Sequence, residues 1–95
     1  LTATGTNQAT ALQLTAAINQ VTTTASGTGV KLYASPGAGS WQVVYNGGAN
    51  DLLVYPQTSG TINGLAANAG MLLATKTACI YYAASTTAWI GILSN

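Results

Sequence analysis

Large apolar residues along this chain come in short runs, and the intervals between runs are filled by Gly, Asn, Ser, Thr and Pro. The run Trp41-Gln42-Val43-Val44-Tyr45 alternates large apolar and mixed side chains, then meets Asn46-Gly47-Gly48-Ala49-Asn50. Asp51-Leu52-Leu53-Val54-Tyr55 follows and is stopped by Pro56. Two β-rich runs around a connection of residues that tolerate positive φ predict a hairpin. Period two places Trp41, Val43 and Tyr45 on one face of the first strand, and Asp51, Leu53 and Tyr55 on one face of the second. A further hairpin is predicted where residues 77–82 rise into Ala83-Ala84-Ser85-Thr86-Thr87 and return through residues 88–93, both arms being rich in β-branched and aromatic residues. Gly91 inside the returning arm marks a bulge or a close approach.

Shorter signals fill the rest. Residues 30–33 read as a strand closed by the turn Ser35-Pro36-Gly37, residues 71–74 as another, and Ile62 as a core anchor within a turn-rich stretch. The N-terminal third carries two patterns. Ala11, Leu14, Ile18 and Val21 fit a helical stripe, whereas Leu12 and Leu14 alternate and Val21-Thr22-Thr23-Thr24 is a β-branched run that disfavours helix. The balance is toward strands. Turn signals at roughly ten-residue spacing then favour a sandwich or small barrel. The expectation is an all-β fold: a small antiparallel β-sandwich or barrel-like module with two C-terminal hairpins. Residues 1–8, low in complexity, are expected as an arm or linker, and residues 9–95 as a single β domain. No fixed-period repeat is visible.

Composition changes this picture in one respect. Apolar residues make up 48% of the 95 positions but charged residues only 3%, namely Lys31, Asp51 and Lys76, for a net charge of +1. Soluble domains carry about 25% charged residues, and disordered chains are poor in apolar ones. A folded domain with so little charge has little colloidal repulsion, which suits packing against copies of itself or a partner. Two lysines do not make a nucleic-acid footprint. No run reaches the length of a membrane-spanning helix, and no charged segment followed by an apolar stretch marks a signal peptide. Cys79, the sole cysteine, has no internal disulfide partner and reads as a small buried hydrophobe.

The residues of most active sites are missing. There is no histidine and one carboxylate, so neither a nucleophile–histidine pair, nor paired carboxylates, nor a zinc ligand cluster can be assembled from this chain. The expectation is a non-enzyme with no cofactor, metal or catalytic residue. What remains for recognition is the aromatic set, all Tyr and Trp, whose large apolar faces and polar tips suit interfaces and sugar stacking. Trp41, Tyr45, Tyr55, Tyr82 and Trp89 are the candidate interface or glycan contacts. Against this stands the plainer reading of Trp41 and Trp89 as core plugs of the two hairpins. The threonine-rich segments read as solubilising edges, because Thr22-Thr23-Thr24 puts hydroxyls on alternating faces and forms no flat ladder.

One pattern goes beyond class. Asn46-Gly47-Gly48-Ala49-Asn50, Leu52-Leu53-Val54-Tyr55-Pro56, Gly60-Thr61-Ile62-Asn63-Gly64, an alanine-rich loop and a closing hairpin ending near Trp89 stand in that order. Upstream, Ala11-Leu12-Gln13-Leu14 and Gly27-Thr28-Gly29-Val30-Lys31-Leu32 complete the series. This resembles a module found repeatedly in surface proteins of tailed bacteriophages, in head decorations, head fibres and tail fibres. The resemblance covers most of the chain through turn and core signatures. It implies a β-structured protein on the virion surface, more on the capsid than the tail, assembled as a homo-oligomer, often a trimer, against other virion proteins such as the major capsid protein. The implied function is structural, stabilising or ornamenting the particle through subunit contacts. The alternative is a tail-fibre or tail-tip domain binding a host-surface glycan. The resemblance implies no catalytic residue, no nucleic acid and no membrane. One departure is that the family often has Pro where Tyr33 stands, which puts the path near Ala34-Ser35-Pro36 in question.

Overall fold

The structure, a computed structural model, describes residues 1–93. Among these, nine strands form and no helix. They are β1 (Leu12–Gln13), β2 (Ile18–Val21), β3 (Gly29–Lys31), β4 (Trp41–Asn46), β5 (Leu52–Tyr55), β6 (Thr61–Ile62), β7 (Met71–Leu73), β8 (Thr77–Ala83) and β9 (Ala88–Leu93). Two sheets pack face to face, one in the order β1-β3-β5-β7 and the other β2-β4-β8-β9-β6. The all-β, sandwich-like expectation holds. The N-terminal third is strand, with Leu14 and Val21 in the core and Ile18 72% exposed. A helical stripe would have buried Ile18 with them.

The sheets are mixed rather than antiparallel. β1–β3, β3–β5, β2–β4 and β6–β9 run parallel, while β4–β8, β5–β7 and β8–β9 run antiparallel. Up to β5, successive strands alternate between sheets, so each connection arches across the sandwich and like strands stack in parallel.

This corrects the first predicted hairpin. β4 and β5 lie in different sheets: both edges of β4 are taken by β2 and β8, and both edges of β5 by β3 and β7. The intervening Asn-Gly-rich segment is an arch. Asn46, fully buried, fills it: its Oδ1 accepts from Gly48 N and from Thr24 Oγ1, both at 3.0 Å. Its Nδ2 donates to the carbonyls of Asn50 (2.8 Å) and Leu73 (3.0 Å). Gly48 is required here by close approach, since a Cβ would collide with the Thr24 side chain. The second hairpin forms as expected, with Ala83 opposite Trp89 and Ile80 opposite Ile92. Gly91 sits in regular register, and a Cβ there would press on Cys79 Sγ and the Tyr81 ring.

Residues 1–4 are not a free arm. Ala3 is buried and its N donates to Thr23 O, while Thr4 and Gly29 exchange both backbone hydrogen bonds. The opening segment thus lengthens the sandwich by β-bridges at Thr2–Thr23 and Thr4–Gly29.

The core is a single cluster drawn from both sheets, including Leu14, Val21, Val30, Leu32, Val44, Leu52, Val54, Ile62, Leu73, Cys79, Tyr81 and Trp89. Ile62 is the anchor expected of it. The buried polar residues are Thr24 and the four carboxamides Asn19, Gln42, Asn46 and Gln57, and each is hydrogen-bonded. Gln42 Oε1 accepts from Tyr33 N at 2.8 Å, an N–H that a proline at this position would lack, and its Nε2 donates to Ala16 O at 3.0 Å. Asn19 Nδ2 donates to Ala16 O and Val43 O. Leaving such groups unpaired costs about 1–3 kcal/mol each.

Cys79 is buried, as expected of a small hydrophobe. Burial pushes its thiol above the ordinary range, partly offset by hydrogen bonds involving Tyr81 and the Ile92 backbone. The Tyr81 hydroxyl has no nitrogen or oxygen partner among the described residues, and burial, with Cys79 beside it, drives its proton affinity up.

Two outcomes are expected. Asn46→Ala strands Leu73 O, Asn50 O and Gly48 N, and lowers unfolding stability by about 3 kcal/mol in urea titrations; Asn46→Asp, which cannot donate to the two carbonyls, also destabilises. Because Cys79 and Tyr81 hold their protons more tightly folded than unfolded, their contribution is complete below pH 9.0 and declines as pH rises above the unfolded values of 9.0 and 10.0. Thermal melts across alkaline pH will show this loss, and Tyr81→Phe will reduce it.

Candidate functional site

The pleat of β4 places its polar residues inside and its large apolar residues outside. Gln42, Val44 and Asn46 face the core, and Trp41, Val43 and Tyr45 face outward. The neighbouring strands add to the same outer face. β8 contributes Ala78, Ile80 and Tyr82, β9 contributes Ile90 and Ile92, and β2 contributes Ile18 and Gln20.

Register sorts these residues into rows across the sheet. Trp41 lies opposite Tyr82 and Tyr82 opposite Ile90. The next row runs Ile18, Val43, Ile80, Ile92, and a third joins Gln20, Tyr45 and Ala78. Directly opposite side chains in antiparallel strands stand about 5 Å apart, so the rows are continuous. Exposure is 45% at Trp41, 43% at Tyr82, 50% at Ile90 and 57% at Ile92. With Ile18 and Ile80, these residues expose on the order of 600 Å², at the upper end of the largest apolar patch on an ordinary monomer. None of the three charged residues lies on this face. Lys31 belongs to β3 of the other sheet, Asp51 to the arch before β5, and Lys76 to the turn before β8.

The five candidate aromatics divide. Trp41 and Tyr82 are brought together as exposed neighbours, and Tyr45 is half-buried further along the same face. Trp89 belongs to the core: it is 1% exposed, and its Nε1 donates to the buried Gln57 Oε1 at 2.7 Å. Tyr55 is also buried, on the outer side of the four-stranded sheet. Its ring lies against Gly29 and Gly70, where no Cβ would fit, and its hydroxyl donates to Thr6 O at 3.4 Å. The core-plug reading therefore holds for Trp89 and fails for Trp41.

Ile18, Ile80, Ile90 and Ile92 complete the face; by sequence Ile18 fits the helical stripe with Leu14 and Val21, and the other three carry no interface signal of their own. The available signal was that residues 79–82 and 89–93 are apolar on both parities, the mark of strands covered on both sides. Here the core covers one side only.

Nothing on the face converges for chemistry. The described residues contain no cluster of three His, Cys, Asp or Glu side chains. A cavity of about 250 Å³ opens at the margin of the face, between β1 and β2, lined by residues that include Leu1, Leu12, Gln13 and Asn19 together with Ile18 and Gln20 of the face itself. Two of its amides are engaged, Gln13 Nε2 donating to the carbonyls of Leu14 and Leu32 and Asn19 Nδ2 to those of Ala16 and Val43.

The two tryptophans will separate in mutagenesis. Trp89→Ala is expected to cost about 4 kcal/mol of unfolding stability and Trp41→Ala less than about 1 kcal/mol, read from urea titrations at low protein concentration. Comparison with protein families, curated proteins and solved structures finds no match to this chain.

Proposed function

We propose that this chain is a structural module of a tailed-phage particle, of the capsid-decoration or head-fibre kind, which stabilises or ornaments the shell through subunit–subunit contacts. The observation that carries the reading is the uncharged apolar face of the five-stranded sheet. A patch of this size and composition on a domain with three charged residues is costly to leave in water and gains by being covered. The sequence resemblance to phage surface modules supports the setting, the virion surface, and the partners, a homotrimer contacting the major capsid protein. The role is structural and non-catalytic.

A second reading has one observation in its favour. Trp41 and Tyr82 stand exposed side by side, the arrangement on which a sugar ring stacks, as a tail-fibre or tail-tip domain binding a host glycan would use.

Proteomics and image reconstruction of purified particles of the phage encoding the chain are expected to find it in many copies on the shell. Absence from the particle overturns the structural reading. Location at the tail tip, with glycan-array binding lost in Trp41→Ala and Tyr82→Ala variants that remain folded, favours the second.

A further inference from the structure

We infer that the outer face of the five-stranded sheet, centred on Ile80 and Tyr82, is buried against the same face of other copies of this chain. The inference rests on the assembly reading above and names its surface and its partner.

Three observations select a second copy as the occupant. The face carries no charge, so identical faces meet without like-charge repulsion and without desolvating an ion. Its exposed area, on the order of 600 Å² before the half-buried Val43 and Tyr45 are included, approaches the roughly 800 Å² that each partner contributes to a standard stable interface. Its side chains are those of a sandwich interior: an aliphatic row of Ile18, Val43, Ile80 and Ile92 beside the Trp41–Tyr82–Ile90 row. Branched and aromatic side chains on regular rows interdigitate when two sheets stack about 10 Å apart.

The remaining occupants fit less well. A sugar stacked on Trp41 and Tyr82 would find Ile90, Val43 and Ile80 around it, with few groups to pair its hydroxyls, and unpaired polar groups are costly. A lipid surface is favoured by basic residues beside the apolar face, and neither lysine lies on this sheet's outer face. A partner recognised through charge would find nothing complementary.

The test uses the purified chain alone, so that its outcome is independent of any phage particle. Sedimentation equilibrium and native mass spectrometry are expected to show a concentration-dependent oligomer, and the Trp41 emission is expected to shift to the blue on association. Ile18→Lys and Ile92→Lys, both outward-facing, are expected to weaken association about 100-fold or more while the far-ultraviolet dichroism of the monomer is unchanged. Leu72→Lys is the control: Leu72 is 58% exposed but lies on the four-stranded sheet, and association is expected to persist. Should a lysine variant fail to fold, Ile90→Thr keeps a β-branched side chain and is expected to weaken association about ten-fold. An oligomer of three matches the trimer proposed above. An oligomer of two supports the face and overturns the trimer. A chain that stays monomeric at millimolar concentration overturns the inference, as does an oligomer broken by Leu72→Lys but not by the face variants.

Discussion

The buried carboxamide of Asn46 is the contact on which most of the structure depends. It sits at the end of β4, between the two sheets, and all of its hydrogen-bonding capacity is used within the chain. It receives hydrogen bonds from the preceding arch (Thr24) and its own arch (Gly48) and donates to Asn50 and to Leu73 of β7. The stacked arches are tied again by Asn50 Nδ2, which donates to Thr24 O, and by Thr75 Oγ1, which donates to Gly48 O. An arch leaves backbone groups facing inward that no strand can pair, and buried groups of that kind must find partners. A neutral side chain with two donors and an acceptor oxygen supplies them without bringing in a charge.

Gln42 and Asn19 do the same work at the opposite end, pairing Tyr33 N, Ala16 O and Val43 O, and Gln57 does it beside Trp89. Carboxamides therefore stand where other domains of this size place ion pairs or extra apolar bulk. With β4 committed to holding Gln42 and Asn46 inside, the pleat forces Trp41, Val43 and Tyr45 out. The apolar outer face is a direct consequence of how the arches are satisfied.

Stability and assembly are linked through this one strand. Its inner residues close the sandwich, and its outer residues begin the rows that β8 and β9 extend. The four-stranded sheet shows the contrast, because its outer aromatic, Tyr55, is already roofed by the chain's own residues near Thr6 and Gln8. One sheet has its outer aromatic covered by the chain itself, and Leu72 is the large apolar side chain left exposed on it. The other offers a surface with the chemistry of a core, and this asymmetry is what the proposed role uses.

Much of the fold was legible in the sequence. Strand positions in the second half, the closing hairpin, the stop at Pro56, the core place of Ile62 and the common face of Trp41, Val43 and Tyr45 all follow from local periodicity and turn chemistry. The candidate face was legible only in part: Trp41, Tyr45 and Tyr82 were named, its four isoleucines were not, and Trp89 and Tyr55 were drawn in although both are buried. Asn-Gly-Gly-Ala-Asn suits a hairpin and an arch equally well. Which one forms depends on whether β4 and β5 are claimed by each other or by β2, β8, β3 and β7, and those partners are distant in sequence. Period two likewise says which residues share a face but not which face is inside. The rule that apolar residues go inward would have buried Trp41. The tertiary structure reversed it because the arches needed Gln42 and Asn46 in the interior, and a strand can offer only one of its two faces to a core.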